Sequence, residues 1–479
     1  MNKNTHEKYD VCIIGAGSAG LSVAAGISQL GMKTALIEKS DMGGDCLNTG
    51  CVPSKALLQA AKAAEAFRKS GHFGIKKAEP EIDFNAVKDH VFDVISTIEP
   101  NDSQERFESL GVHVIREAAS FLDPHTVLAG TQKIRSKYFV IATGSRAFVP
   151  PIPGLDPQKI FTNENIFSLR ERPEHLIIIG GGPIGIEMAQ AHRRLGSKVT
   201  LLEIAKIMPK DDPELVDILR NHLQEEGIYM HENVQITKIA HQEGTSSVFL
   251  SHGSSSIEIE GTHILVSTGR IPNVDKLDLE KAHVRFGKRG IEVDKRLRTT
   301  NKHIYAAGDV AGGPQFTHVA AYHAGIIIRN IAFKLPAKVD YSALPWVTYT
   351  DPELANVGLT EAMATEKFGD NKVITTSWHM RENDRAQAER KTTGMIKIVA
   401  LKNGRILGAS IIAPNAGEML GMWSIAIQKQ LKLSDVAAVM APYPTMSEAG
   451  KRAAGAWYTP KLFSEKTKAL VRFLNKLPI

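Results

Sequence analysis

Two cysteines, Cys46 and Cys51, stand five residues apart in the segment 43–55, which reads GGDCLNTGCVPSK. The helical stretch 56–67 follows directly, so both cysteines are expected at or near a helix N-terminus, where the thiolate is favoured and the pKa of a thiol falls. Lys55 lies four residues after Cys51, on the same helical face, and its positive charge would favour the thiolate further. The spacing therefore predicts a reactive, redox-active cysteine pair.

Two other interpretations of this pair are inert core thiols and half of a metal site. Zinc sites usually combine two closely spaced ligand pairs, and no second Cys or Cys/His pair accompanies this one. We therefore predict no metal site. Cys12 lies in an apolar run and is expected to be a small buried residue. Three cysteines in 479 residues also argue against a disulfide framework.

The strand–helix–strand module that precedes the cysteine pair, at residues 9–39, occurs a second time at residues 175–203. Each copy contains a G-x-G-x-x-G turn and ends in an acid, Glu38 or Glu203, 18 positions after its third glycine. Such a turn lets the backbone approach a pyrophosphate at the helix N-terminus, while the acid accepts the ribose hydroxyls. Two complete modules predict two dinucleotide sites. The glycines are Gly15, Gly17, Gly20, Gly180, Gly182 and Gly185.

Pro- and Gly-rich crossings at residues 144–154 and 270–273 divide the chain, and from about Tyr341 alternating strands and longer helices indicate another domain. We predict an α/β fold with two Rossmann-like dinucleotide-binding domains and a C-terminal α+β domain. The predicted segments are 1–150, which contains the first module, 151–272, which contains the second, 273–340, and 341–479, which forms the C-terminal domain.

Composition excludes several classes of protein. Hydrophobic residues make up 43% and charged residues 23% of the chain, an ordinary globular balance. No apolar run reaches the roughly 18 residues that a transmembrane helix needs. The polar start of the chain shows no secretory signal, so a cytoplasmic location is expected. The net charge of +6 is spread along the chain without a basic, aromatic-rich patch, so no nucleic-acid partner is expected.

The whole chain resembles the class I pyridine nucleotide-disulfide oxidoreductases, which include dihydrolipoamide dehydrogenases, glutathione reductases and mercuric reductases. The cysteine segment carries the resemblance, and further motifs match in order at residues 142–144, 267–270, 307–309, 349–353 and 357–361. The resemblance implies that the first module binds FAD, that the second binds NAD(P)H, and that residues from about 341 form the dimerisation domain of a homodimer. It also implies that segments 1–150 and 273–340 are two parts of one FAD-binding domain, which flank the NAD(P)-binding domain. Further residues implied to contact the cofactors are Gly44, Lys55, Thr143, Gly144, Asp309, Thr317, Gly269 and Arg270.

The implied mechanism is an electron relay. Nicotinamide reduces the flavin, the flavin reduces the disulfide through Cys51, and Cys46 exchanges with a thiol, disulfide or metal acceptor, which is a small molecule or is bound to a protein. Lys55 would pair with Glu187 beside the flavin. NADH is expected in preference to NADPH, because Glu203 would accept from a 2′-hydroxyl and repel a 2′-phosphate.

One position departs from the pattern of the disulfide-reducing relatives, whose C-terminal motif is His-Pro-Thr-x-x-Glu. Here Tyr443 replaces the histidine that acts as acid and base, while Glu448 is retained. A phenol with a pKa near ~10 is a poor proton shuttle at neutral pH. Mercuric reductases resemble the chain in this tyrosine, but they carry a C-terminal cysteine pair, and no cysteine follows Cys51 here. Tyr443 could also simply pack at the interface.

Three functions therefore stay open: a dihydrolipoyl dehydrogenase, a metal-ion reductase that resembles mercuric reductase, and a membrane-associated electron-transfer flavoprotein whose cysteines are a regulatory switch. The segment 466–479 bears on the last of these, because it is both basic and apolar. It could contact an anionic membrane surface, although packing on its own subunit is the more common outcome for such a segment.

Overall fold

The computed structural model describes residues 7–253 and 255–477. The first sheet has the strand order β3-β2-β1-β6-β5-β4, in which β1, β2, β3 and β6 are parallel. Its elements are the strands β1 (Glu7–Ile14), β2 (Thr34–Ile37), β3 (Val112–Ile115), β4 (Ala119–Asp123), β5 (Thr126–Ala129) and β6 (Gln132–Ile141), followed by the short β7 (Ser145–Ala147), and the helices α1 (Ser18–Gln29), α2 (Gly44–Asn48), α3 (Cys51–Lys69), α4 (Phe84–Ile98) and α5 (Gln104–Ser109).

The second module forms a four-stranded parallel sheet in the order β10-β9-β8-β14, beside a three-stranded antiparallel sheet, β11-β12-β13. Its strands are β8 (His175–Ile179), β9 (Lys198–Leu202), β10 (Tyr229–His231), β11 (Gln235–His241), β12 (Ser246–His252), β13 (Ser255–Gly261) and β14 (His263–Val266), and its helices are α6 (Pro183–Arg194) and α7 (Pro213–Glu225). Asp212 caps α7 by accepting from the Glu214 N–H at 3.1 Å, with Pro213 as the first helical residue.

The chain then returns to the first sheet, where β18 (Ile304–Ala306) pairs with β6 in parallel. The elements of this part are β15 (Arg270–Pro272), β16 (Phe286–Gly287), β17 (Gly290–Ile291), β18 (Ile304–Ala306) and α8 (Thr317–Ile331). β15 pairs antiparallel with β7. The two crossings that were predicted from Pro and Gly residues therefore lie side by side and hydrogen-bond to each other.

The last part is a five-stranded antiparallel sheet in the order β19-β20-β23-β22-β21. Its strands are β19 (Pro345–Thr348), β20 (Glu353–Gly358), β21 (Val373–His379), β22 (Met395–Leu401) and β23 (Ile406–Ala413), and its helices are α9 (Glu361–Phe368), α10 (Asp384–Ala388), α11 (Ala416–Gln428), α12 (Leu433–Ala437), α13 (Glu448–Ala456), α14 (Thr459–Leu462) and α15 (Glu465–Leu474). Trp423 of α11 is the largest fully buried side chain.

The two predicted modules have the same order of elements and the same parallel strand pairing. The five residues of β8 and the four of β2 are all buried, as expected for parallel strands covered on both faces. Ile14 pairs with Ile37 at the end of the first module, and Ile179 pairs with Leu202 at the end of the second. The predicted fold class is confirmed, whereas the exact domain boundaries stay a prediction.

Candidate active site

One large cleft, with a volume of about 2330 Å³, lies between the two dinucleotide modules and the C-terminal sheet. Both cysteines line it, and Lys55, Glu187, Asp309 and Thr317 do so as well. The other predicted residues in its wall are Gly15, Gly17, Glu38, Gly44, Thr143, Gly144, Gly180, Gly182, Glu203, Gly269 and Arg270. The cleft thus brings together most of the residues singled out in the sequence.

The third glycine of each turn does not line the cleft but lies behind the turn. A Cβ atom on Gly20 would lie 1.8 Å from the carbonyl oxygen of Gly15, and one on Gly185 would lie 2.0 Å from that of Gly180. No other side chain fits at such distances, so these glycines let α1 and α6 pack against their turns. Their contribution to a nucleotide site is the position of the helix rather than direct contact.

The two acids of the modules are held in the same way. Glu38 accepts from the N–H groups of Ala16 at 2.6 Å and Ser40 at 2.7 Å. Glu203 accepts from those of Gly181 at 2.7 Å and Ala205 at 2.9 Å, at the same sequence offsets. Each carboxylate has about four lone-pair sites, so acceptor capacity remains for the two hydroxyls of a ribose.

Asp309 lines the cleft and is held in place by two neighbours. Its carboxylate accepts from the Ser145 hydroxyl at 2.5 Å, and the Arg270 Nε lies 3.8 Å away. Burial raises the pKa of Asp309, and these two groups oppose the rise. A glycine turn at the start of α1, a fixed ribose acid and an aspartate in one cleft fit FAD, which would be held by Gly15, Gly17, Glu38 and Asp309.

The cysteine pair lies where two helices begin. Cys51 is the first residue of α3, and its Sγ is 3.2 Å from the hydroxyl of Thr317, the first residue of α8. Cys46 lies in the five-residue helix α2. Both cysteines are free thiols in this structure. Cys12 is also free and fully buried, as predicted.

One thiol of the pair is acidic and the other is not. The pKa of Cys51 is lowered to about 6, because the hydrogen bond from the Cys46 thiol, the Thr317 hydroxyl and the charge of Lys55 together outweigh the opposing effects of burial and of the Asp45 charge. The same hydrogen bond, together with burial, raises the pKa of Cys46. The expectation that the pKa falls for both cysteines is therefore wrong for Cys46, because the two sulfurs share one proton.

Lys55 forms the predicted ion pair. Its Nζ is 2.9 Å from Glu187, which is only 4% exposed. Glu187 also accepts from the Tyr349 N–H at 2.9 Å, and the Tyr349 ring lies 4.4 Å from the Lys55 Nζ. Burial by itself would lower the pKa of Lys55, but the Glu187 carboxylate reverses this and raises it. Tyr349 was quoted only as part of a motif, and sequence spacing does not show that its ring covers Lys55.

A polar network beside Cys46 was not predicted. The Asp45 carboxylate is 2.8 Å from an Arg270 nitrogen and accepts from the Asn163 amide at 3.0 Å. Arg270 also donates to the Ser145 hydroxyl at 2.7 Å. The network connects the cysteine loop to the second module. The only signal in the sequence is that Asp45 directly precedes Cys46.

Tyr443 and Glu448 do not line the cleft of their own subunit. Tyr443 is 65% exposed, and its hydroxyl donates to Asp384 at 2.7 Å. Glu448 is 2.8 Å from Arg452. The hydrogen bond to Asp384 raises the pKa of Tyr443, so the phenol keeps its proton at neutral pH. The two roles predicted for these residues stay predictions.

Sequence and structure comparisons place the chain in one protein family. Residues 9–324 match the family "Pyridine nucleotide-disulphide oxidoreductase", and residues 344–454 match its dimerisation domain. The chain belongs to this family. A mercuric reductase of Staphylococcus aureus is 36% identical over 454 residues, which cover 94% of this chain and 83% of that protein. A dihydrolipoyl dehydrogenase of Geobacillus stearothermophilus is 34% identical, covering 93% of this chain and 95% of that protein.

A solved structure is similar over nearly the whole chain. The HOCl-induced flavoprotein disulfide reductase RclA from Escherichia coli superposes with a TM-score of 0.82 at 28% identity, covering 93% of this chain and 99% of that one. This chain is thus an FAD-dependent pyridine nucleotide-disulfide oxidoreductase with a redox-active cysteine pair, and it forms a homodimer. Within the described residues, no helix is both long and apolar enough to cross a bilayer.

Proposed function

We propose that the enzyme uses NADH to reduce a metal ion that binds thiolates, delivered to the Cys46–Cys51 pair. The observation that carries this proposal is Tyr443, whose phenol is hydrogen-bonded to Asp384 and stands where disulfide-reducing relatives have a histidine. Exchange with a disulfide needs a group that moves protons to and from the thiols. A soft metal ion binds the thiolates themselves and needs no such group. A cytoplasmic location stays a prediction.

The residues of this chain prepare the thiolate. Thr317 donates to Cys51, Lys55 supplies a positive charge, and Glu187 keeps Lys55 in place. When bound, FAD would supply the hydride and electron-transfer chemistry that links the nicotinamide to the cysteine pair, and Gly15, Gly17, Glu38 and Asp309 would hold it beside Cys51. The balance is two electrons and one released proton per NADH, and the two electrons reduce either one Hg²⁺ to Hg⁰ or two Cu²⁺ to Cu⁺.

The preference for NADH rests on Glu203. Both of its oxygens are fixed by backbone N–H groups, so the carboxylate cannot turn away from a 2′-phosphate. We expect kcat/KM to be at least about tenfold higher for NADH than for NADPH, since one like-charge contact costs on the order of 1.4 kcal/mol or more. Glu203→Gln should narrow that ratio, whereas Glu38→Gln in the first module should leave it unchanged. A ratio that stays constant in Glu203→Gln would refute the role of this acid.

The acceptor is tested by anaerobic NADH oxidation with the FAD-loaded enzyme and either Hg²⁺ or Cu²⁺, compared with lipoamide and glutathione disulfide. The proposal predicts that metal ions support turnover and that the disulfides support at least about tenfold less. Tyr443→His should raise disulfide reduction, because it restores an imidazole with a pKa near ~6.5. Tyr443→Phe, the matched control, should not. Fast lipoamide turnover by the unchanged enzyme, with no turnover of metal ions, would contradict the proposal.

A second candidate is dihydrolipoyl dehydrogenase. It is favoured by the retained Pro444, Thr445 and Glu448 and by relatives of that name at 34% identity or less. Fast NAD⁺ reduction by dihydrolipoamide would establish it, and would mean that another group replaces the histidine. The third function, an electron-transfer flavoprotein whose cysteines are only a regulatory switch, makes a different prediction. In that case the double variant Cys46→Ser, Cys51→Ser should reduce the electron acceptor as fast as the unchanged enzyme does.

A further inference from the structure

The C-terminal segment 459–477 presents an apolar surface that its own subunit does not cover. No side chain of α15 is buried, and the large apolar side chains of the segment are 49–64% exposed. These side chains are Leu462, Phe463, Leu470, Val471, Phe473, Leu474 and Leu477. The expectation that this segment packs on its own subunit is therefore wrong. Among the described residues, the hydrophobic core of the C-terminal domain takes its last buried side chains from α13, before this segment begins.

The segment is also amphipathic. Leu470, Phe473 and Leu474 are spaced by three and four residues and so share one face of α15. Lys468 and Arg472 lie on the opposite face, each within reach of Glu465 at 2.9 and 3.6 Å. The segment carries one acid and five bases. The bases are Lys461, Lys466, Lys468, Arg472 and Lys476.

The helix α15 is capped and hydrogen-bonded by residues of its own segment. Ser464 caps it by accepting from the Thr467 N–H at 3.3 Å, and the Thr467 hydroxyl donates to the Lys461 carbonyl at 2.9 Å. Among the described residues, the side-chain hydrogen bonds of α15 go to this same segment. A helix that keeps its shape while its apolar face is open is suited to binding another surface.

We propose that segment 459–477 binds an anionic lipid surface, with α15 lying in the plane of the interface. An apolar stripe flanked by lysines and arginines matches acyl chains and anionic headgroups together, and it needs no helix that spans the bilayer. The proposal does not depend on the electron acceptor.

A second copy of the chain is a less suitable occupant. The dimerisation domain of the family matches residues 344–454 and so ends before this segment. The segment is strongly basic and the whole chain carries a net charge of +6, so another copy offers no matching excess of acids. Anionic lipid supplies both the negative charge and the apolar phase.

The test is co-sedimentation of the FAD-loaded enzyme with vesicles of phosphatidylglycerol and phosphatidylcholine, and with phosphatidylcholine alone. We expect binding to the anionic vesicles that weakens as salt is added, because the headgroup attraction is screened. The double variant Leu470→Ser, Phe473→Ser should bind at least about tenfold more weakly, since each side chain loses its transfer to the apolar phase. The matched control is Phe333→Ser, Leu335→Ser, which removes the same two side-chain types at another exposed site and should bind normally.

Retained FAD and the mass from light scattering show whether each variant is folded and dimeric. Equal vesicle binding by the tail variant and the unchanged enzyme would overturn the proposal, as would the absence of binding to anionic vesicles. A tail variant that becomes monomeric while the enzyme ignores vesicles would assign the surface to a second copy instead.

Discussion

At the level of single residues, the proton shared by Cys46 and Cys51 predicts how the number of thiolates in the reduced enzyme depends on pH. The pKa of Cys51 is lowered to about 6, whereas those of Cys46 and buried Cys12 are raised. The reduced enzyme should therefore hold one thiolate per subunit at neutral pH and lose it as the pH falls through about 6. The ultraviolet absorbance of thiolate, followed across a pH titration, measures this directly.

Variants separate the causes of that lowered pKa. Cys46→Ala removes the strongest one, the hydrogen bond from the neighbouring thiol, and should move the titration of Cys51 upward. Thr317→Val should move it upward by less. Cys12→Ala is the control and should change nothing. Two thiolates titrating together near the ordinary pKa of about 8.5 would rule out the shared proton.

The Lys55–Glu187 pair predicts a change in stability. Glu187→Gln would leave the ammonium of Lys55 without its counter-charge, while the amide could still accept from the Tyr349 N–H. We expect a loss of about 2 kcal/mol in the free energy of unfolding, at the lower end for a broken buried pair because the Lys55 side chain is 37% exposed. Urea denaturation measures it.

The matched control for this pair is Asp278→Asn, which breaks an exposed ion pair with Lys281 and should cost less than about 1 kcal/mol. Equal losses in the two variants would mean that burial of Glu187 adds nothing to its pairing with Lys55.

At the level of elements, the turn before α6 sets the position of a helix. Gly185→Ala would put a Cβ 2.0 Å from the Gly180 carbonyl oxygen and 2.8 Å from the Ser267 hydroxyl, so α6 must move away from its turn. NADH should then bind at least about tenfold more weakly while FAD stays bound, because the first module is untouched. Gly325→Ala in α8 meets no atom within 4 Å and should be harmless. Normal NADH affinity in Gly185→Ala would contradict this role.

The repeated module explains how much of the fold could be predicted from the sequence. Glu38 and Glu203 were found because local spacing alone determines where an acid follows a strand–helix–strand unit. Asp45 with Arg270, and Tyr443 with Asp384, could not be found in this way, because those contacts join distant parts of the chain. The sequence also could not show that the pKa falls for Cys51 but not for Cys46, because that difference depends on tertiary hydrogen bonds.

At the level of the whole molecule, one cleft joins the two nucleotide modules to the cysteine pair. Glu203 and Gly182 line it from the second module, Glu38 and Asp309 from the first, and Trp346 from the C-terminal sheet. The continuity of this cleft is the physical basis for a relay, since the residues predicted to hold the two nucleotides and the two cysteines all line one volume.

The most direct test of the relay is an anaerobic titration of the oxidised, FAD-loaded enzyme with one equivalent of NADH per subunit, followed by a count of free thiols. The relay predicts two new thiols per subunit, and none in the Cys46→Ser or Cys51→Ser variant. NADH oxidation that reduces the flavin and yields no new thiols in the unchanged enzyme would contradict it, because the electrons would then not reach the cysteines.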